Sequence, residues 1–274
     1  MNRRVIDAHI HLDMYNDDER ALILKELEGH SVDALVAVSN DLASSCRQLE
    51  FARIDSRIKP AIGWHPEQNV PGEEEIQAIL KLIDENQHGL TAIGEVGLPY
   101  YLRQEKPKLK LAAYVEVLET FIRKAAHTKL PIVLHAVYED AEVVCDLLEA
   151  HSITHAHFHW FKGEDAVLQR ILANGYMVSV TPEVLYREKI QRVVEQTPLS
   201  QLMVETDGPW PFEERFSGHM THPSMMHDSI QKIADIKRMN EDEVYQSIYE
   251  TTKEFYWIDK KRNISLSDKP SGNG

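Results

Sequence analysis

Histidine, glutamate and aspartate recur at the ends of short apolar runs along this chain. His9 and His11 sit one residue apart in VIDAHIHLD. His65 lies in AIGWHPE, Glu95 in AIGEVGLPYY, His135 in PIVLHA, His159 in HAHFHWFKG and Asp207 in VETDGPW. Alternate side chains of a strand share a face, so His9 and His11 point the same way. Glu95, His135, His159 and Asp207 bring the set to six nitrogen and oxygen donors. That exceeds what one tetrahedral zinc takes and suits a pair of divalent ions joined by a carboxylate. With no thiolate among the donors, the candidate ions are zinc, manganese, cobalt, nickel or magnesium.

A single core histidine is most often a hydrogen-bonded structural residue. A joint accident of six ligand types at five strand ends is far rarer. His155 and His157 share the parity of His159. The position nearest the strand end should reach an ion, which favours His159 and leaves His157 as its rival. His65 is either a further ligand or a hydrogen-bonding group for a substrate phosphate or carboxylate. His30, His88, His127 and His151 fall near helix ends and read as surface or capping groups. His219, His222 and His227 read as ordinary residues of a loop that could rim the site.

The elements that must position these groups are legible as alternating periodicities. Strands are expected near Val5–Leu12, Ala34–Ser39, Ile58–Trp64, Leu90–Val96, Ile132–His135, His155–Trp160, Met177–Thr181 and Leu202–Glu205. Helices are expected around Glu19–Glu28, Leu42–Ile54, Glu73–Glu85, Leu109–His127, Ala141–Ala150, Glu164–Ala173 and Pro182–Glu195, with two more after the last strand, the second capped by Asn240. Eight β–α units with near-continuous apolar strands predict a single-domain α/β protein, a parallel (β/α)8 TIM barrel. Such barrels carry their sites at the C-terminal strand ends. A doubly wound open sheet is the alternative. The barrel is expected to occupy residues 1–260, with a polar, disordered tail over 261–274.

With 43% hydrophobic and 27% charged residues over 274 positions, the chain can bury a core without staples. The two cysteines, Cys46 and Cys145, are expected to be small buried residues, which fits a reducing compartment. No apolar run is long enough to span a bilayer and no signal peptide is visible, so a cytoplasmic location is expected. The net charge of −14 argues against a protein that holds long duplex DNA by electrostatics alone.

The motifs DAHIHLD, GWHPE, GEVGLPYY, PIVLHA, HFHWFKG and ETDGPW, in this order, resemble the TatD family of metal-dependent hydrolases, from about Val5 to Ile258. The resemblance implies that His9, His11, Glu95 and Asp207 hold one metal. It implies that Glu95, His135 and His159 hold a second, with Glu95 bridging, and that His65 lies beside the substrate phosphate. It further implies a deoxyribonuclease, in some members a 3′–5′ exonuclease on single strands. The expected reaction is hydrolysis of a phosphodiester, in short or single-stranded DNA, by metal-activated water. Glu95 and Asp207 are then the catalytic carboxylates, and Asp207 orients the water or takes its proton. The chain departs from the family pattern at Pro99, at Trp160 within HWF and at Gly208. These departures reshape the walls and leave the presumed ligands in place.

Two other readings use the same residues. One is an amide, ester or lactone hydrolase; Glu95, where many such enzymes have a carbamylated lysine, disfavours it. The other is a non-catalytic binding protein on an inherited barrel, which the complete ligand set disfavours. The segment YYLRQEKPKLK supplies Arg103, Lys106, Lys108 and Lys110 near the expected mouth, either to meet phosphate or as a solvated helix entrance.

Overall fold

The computed structural model describes residues 3–259, so the expected tail over 261–274 lies outside the described residues. Eight strands run in parallel and pair in strict sequence order. They are β1 (Val5–Ile10), β2 (Val32–Ala37), β3 (Ile58–Ile62), β4 (Ala92–Gly97), β5 (Ile132–His135), β6 (Ala156–Phe158), β7 (Met177–Val180) and β8 (Leu202–Val204). The sheet closes beyond the end of β8. Asp207 N donates to His9 O at 2.9 Å and His11 N donates to Gly208 O at 2.8 Å. Closure gives the TIM barrel rather than the doubly wound alternative.

Among the described residues ten α-helices cover it: α1 (Asp17–Glu26), α2 (Leu42–Ile54), α3 (Glu73–Asn86), α4 (Tyr100–Glu105), α5 (Leu111–Thr128), α6 (Asp140–Ala150), α7 (Asp165–Ala173), α8 (Glu188–Gln196), α9 (Met226–Lys237) and α10 (Glu241–Phe255). Three differ from the sequence expectation for local reasons. Helix α1 starts two residues early because Asn16 and Glu19 form a reciprocal capping box. The stretch over 182–195 breaks into a 3₁₀ turn (Pro182–Leu185) and α8. The short α4 forms ahead of α5, in a stretch for which no separate helix was expected. Among the described residues no helix is long and apolar enough to cross a membrane. Cys145 is buried as expected, whereas Cys46 is exposed on α2.

Two apolar layers result. One joins the outer faces of the strands to the helices. The other joins Val36, Ala61, Val133 and Met203 from strands that are not all neighbours, so it lies inside the barrel. Phe255, Tyr256 and Ile258 belong to that inner cluster, so the end of α10 closes the barrel from one side. The other end, where the strands finish, is polar.

Several strands end earlier than expected because the ladder opens where the site begins. His11, His65, His159 and Asp207 all lie just past a strand. Trp160 (φ 37°) and Asp207 (φ 48°) take left-handed backbone there, a conformation that costs a non-glycine residue energy and persists where surroundings fix it. Strand β1 also shifts register between Asp7 and Ile10, yet His9 and His11 face the same side, as alternation predicts, with Ile10 between them packed in the outer layer.

Gly208 has a packing reason. A Cβ there would overlap the hydroxyl of Tyr15, which is buried and donates to Thr221 O at 2.8 Å. The family departure at Gly208 is therefore matched by Tyr15. Gly208→Ala is expected to lower stability by about 1–3 kcal/mol, as overpacking does. Urea unfolding should show this, and Tyr15→Phe in the same chain should recover part of the loss.

Candidate metal centre

Four donors from distant parts of the chain meet at the open end. His9 Nε2 and His11 Nε2 are 3.3 Å apart. Glu95 Oε2 lies 3.1 Å from each of them, and Asp207 Oδ1 lies 3.3 Å from each. His9 and Glu95 are fully shielded, and Asp207 retains only 9% exposure. Donors held about 2.0–2.1 Å from a tetrahedral zinc would be about 3.3 Å from one another. The five distances match that spacing.

The other oxygen of Glu95 faces a second group. Its Oε1 is 2.9 Å from His135 Nδ1, 2.8 Å from His159 Nε2 and 3.3 Å from His65 Nε2. His159 Nε2 and His135 Nδ1 are themselves 3.4 Å apart. One carboxylate thus stands between two sets of imidazoles, with one oxygen for each.

Hydrogen bonds on the far sides of the rings set their roles. His135 Nε2 lies 3.1 Å from Glu67 Oε1. A proton on Nε2 is donated there, and the Nδ1 lone pair is left for the site, the arrangement that orients metal-bound histidines. His65 is wired the opposite way. Glu67 N donates to His65 Nδ1 at 3.2 Å, so the ring carries its proton on Nε2 and presents a donor to the site. Burial lowers the His65 pKa, which keeps that ring neutral. Glu67 is in turn held by Tyr101 N at 2.9 Å and Leu102 N at 2.6 Å, at the start of α4. Sequence reading passed over Glu67; its signal was its place two residues after His65 in GWHPE.

Electrostatics favours positive charge here. Burial alone would raise the Glu95 carboxyl, but His159, His65 and His9 hold it well below the usual range. Asp207 is likewise held down against burial by His11 and His9. In return, and against burial, the carboxylates push His11 up to about 10 and His159 well above its ordinary value. Among the described residues, Glu95 Oε2 and Asp207 Oδ1 make no hydrogen bond despite their close nitrogens. Buried acceptors are normally satisfied. These oxygens, the mixed nitrogen–oxygen donor set and the demand for cationic charge all fit divalent ions, which would displace the ring protons.

Nearby polar residues have other work. His157 is buried with both nitrogens engaged, Nδ1 by Tyr256 Oη and Nε2 by Ser179 Oγ, each at 2.6 Å. It is thus occupied where His159 is turned to Glu95. Ser179 Oγ donates onward to Glu205 Oε2 at 2.5 Å, and Glu205 Oε1 accepts from Trp160 N at 2.7 Å. Asp7 is buried, and its carboxylate accepts from Thr206 Oγ1 at 2.6 Å, Thr206 N at 3.0 Å and His9 N at 3.2 Å. It ties β1 to the chain after β8. Burial pushes its pKa up to about 7 against those bonds. Asp13 accepts from Arg47 at 2.7 Å and from Gln48 at 2.9 Å, fastening the turn after β1 to α2.

Of the basic segment, Arg103 is turned onto Asp140 and Glu139, Lys106 reaches Asn69, and Lys108 and Lys110 are exposed. Trp160 is buried, while Trp210 is 61% exposed. His30, His88 and His127 are exposed, and His151 pairs with Glu119 at 2.9 Å. His222, in contrast, is buried. Its ligand-type atoms cluster with those of Glu26 and His30. Ser224 N donates to its Nδ1 at 3.1 Å, so its Nε2 carries a proton towards Glu26 rather than a lone pair.

A family model described as TatD related DNase matches residues 6–257. An uncharacterized metal-dependent hydrolase of Haemophilus influenzae is 36% identical over 253 residues, covering 92% of this chain and 99% of that protein. A protein of Homo sapiens named deoxyribonuclease TATDN3 is 27% identical over 252 residues, covering 88% of this chain and 90% of its own length. The crystal structure of YJJV, a TatD homolog from Escherichia coli, superposes with a TM-score of 0.85 at 20% identity, over 94% of this chain and all of that one.

Glu67→Gln leaves the fold intact but weakens the acceptor behind His135. It is expected to lower divalent-metal affinity about 10–100-fold. Zinc titration by calorimetry against wild type checks this, with thermal unfolding as the control for folding.

Proposed function

Because this chain belongs to the TatD family and is a metal-dependent hydrolase, we propose that it hydrolyses phosphodiester bonds in single-stranded DNA or short phosphoesters. We further propose a centre of two divalent ions, with His9, His11, Glu95 and Asp207 as ligands of one and Glu95, His135 and His159 as ligands of the other. The observation that carries the reading is the two-sided placement of Glu95, 3.1 Å from His9 and His11 through Oε2 and 2.8–2.9 Å from His159 and His135 through Oε1.

Ions so held would supply Lewis-acid polarisation of a phosphoryl oxygen and acidify a water, zinc, manganese, cobalt, nickel or magnesium being candidates. The chain's own residues do the rest. His65 donates from Nε2 to a phosphoryl oxygen. That role uses its neutral tautomer, and it requires no lone pair on that nitrogen. Asp207, ionised at neutral pH, orients the attacking water and accepts its proton. Glu67 orients His135 and fixes the His65 tautomer through its own backbone N–H. Glu205 holds the backbone at Trp160 and thereby the register of His159.

A net charge of −14 repels polyanions at long range. That favours a short or single-stranded substrate over long duplex DNA. The human relative's name, deoxyribonuclease, agrees with a phosphodiester substrate.

Metal-stripped protein is expected to be inactive and to recover on adding manganese or zinc, with bis(4-nitrophenyl) phosphate and end-labelled single-stranded DNA as substrates. Asp207→Asn should lower kcat roughly 10²–10⁴-fold, the range for lost proton transfer, and Glu95→Ala should also abolish metal-dependent recovery. Wild-type cleavage of lactones or amides with no phosphodiester cleaved would replace this reading. Full activity in both variants would remove the proposed centre.

A further inference from the structure

The wall of the mouth after β6, β7 and β8 carries a cation that the reaction above does not use. Lys162 Nζ lies 3.8 Å from the centroid of the Trp160 ring and 3.5 Å from Glu183 Oε2. Glu183 Oε2 also accepts from Trp160 Nε1 at 2.8 Å. One carboxylate on the turn after β7 therefore fixes both the indole and the ammonium lying against it. The indole cannot drift, because Trp160 N is bound to Glu205 and directly follows His159.

The ammonium is confined but not used up. Lysine carries three N–H donors. A ring face attracts them weakly, and the 3.5 Å contact to Glu183 is at the limit of a hydrogen bond. Burial lowers the Lys162 pKa, and the Glu183 and Asp207 carboxylates oppose that change. The side chain keeps 21% exposure, so it is open to a ligand. Two neighbouring guanidiniums are committed, Arg103 to Asp140 and Glu139 and Arg187 to Glu213 at 2.9 Å. Trp210 stands edge to face with Trp160 at 6.3 Å and is 61% exposed. A tethered ammonium and an exposed indole thus both meet one fixed ring beside His159.

We propose that Lys162 is a specificity-determining residue that binds a second phosphate of the substrate, next to the one at the metal centre, while Trp210 stacks on the adjoining base. The substrate class is then an oligonucleotide, or a nucleotide bearing a second phosphate, rather than an isolated diester. This deepens the phosphodiester reading and rests on it. It also gives a use to the lysine of HWFKG, which neither the ligand set nor the packing requires.

The test compares wild type with Lys162→Met, Lys162→Arg and Trp210→Ala on two manganese-supported reactions. One substrate is bis(4-nitrophenyl) phosphate, with no second phosphate; the other is the thymidine trinucleotide TpTpT. A lost charge-assisted hydrogen bond predicts that Lys162→Met raises KM for TpTpT about 10–100-fold. Its kcat/KM for the simple diester should stay within about twofold of wild type, and Lys162→Arg should restore most of the TpTpT affinity. Trp210→Ala should raise KM for TpTpT alone. Equal losses on both substrates, or none on either, would overturn the proposal.

A binding readout separates this from the reaction itself. Thymidine 3′,5′-bisphosphate should change the tryptophan fluorescence of wild type and bind at least tenfold more weakly to Lys162→Met, the ratio expected for that bond. If wild type cleaves neither diester yet shows that difference, the phosphodiester reading fails while the anion site stands. Equal binding to both proteins removes the anion site.

Discussion

Everything at the mouth of this barrel is arranged around the carboxylate of Glu95. It is fully buried, and five imidazoles crowd it: His9 and His11 on one oxygen, His65, His135 and His159 on the other. An ionised carboxylate taken out of water is costly unless charge or hydrogen bonds compensate it. Here the compensation must be cationic, because the surrounding groups also include Asp207. Ring protons can supply it in part, and divalent ions would supply it with better geometry. The strand ends are tied together to keep these groups in place. Asp7 grips Thr206 across the β1–β8 seam, and Glu205 grips Ser179 and Trp160 across β7 and β6.

The histidines of the barrel are sorted less by position than by what their far nitrogens meet. His135 has a carboxylate behind it and turns a lone pair inward. His65 has a backbone N–H behind it and turns a proton inward. His157 is engaged on both sides by hydroxyls and is neutral, its pKa driven well down by burial. Three residues of one type in one barrel thus offer a lone pair, a donor and a strut. Glu67 governs the first two at once, through its side chain and its backbone, and it is itself anchored by the first amides of α4. A loop–helix junction therefore controls the protonation pattern of both His135 and His65.

The departures from the family pattern cluster on the walls. Gly208 makes room for Tyr15. Pro99 sits just before α4, where it leads into the turn that presents the amides of Tyr101 and Leu102 to Glu67. Trp160 is pinned by Glu183 and Glu205 and presents one face to Lys162. These three residues shape the wall, and the wall rather than the deep donors is where one scaffold can be fitted to different substrates.

The sequence by itself determined the barrel, the family and the residue types of the centre. Eight apolar runs between amphipathic helices admit few parallel folds, and the donors stand at the run ends, where period-two patterning marks the face they occupy. It did not determine which atoms face each other. The alternation that puts His9 and His11 on one side says nothing of the Glu95 oxygen that both of them meet. His157 is taken up by Ser179 and by Tyr256, the latter 99 residues away from it. The His135 tautomer, the anchoring of Glu67 and the capture of Arg103 by Asp140 depend on contacts between different β–α units. Local periodicity carries no information about such contacts, because they exist only once the sheet has closed.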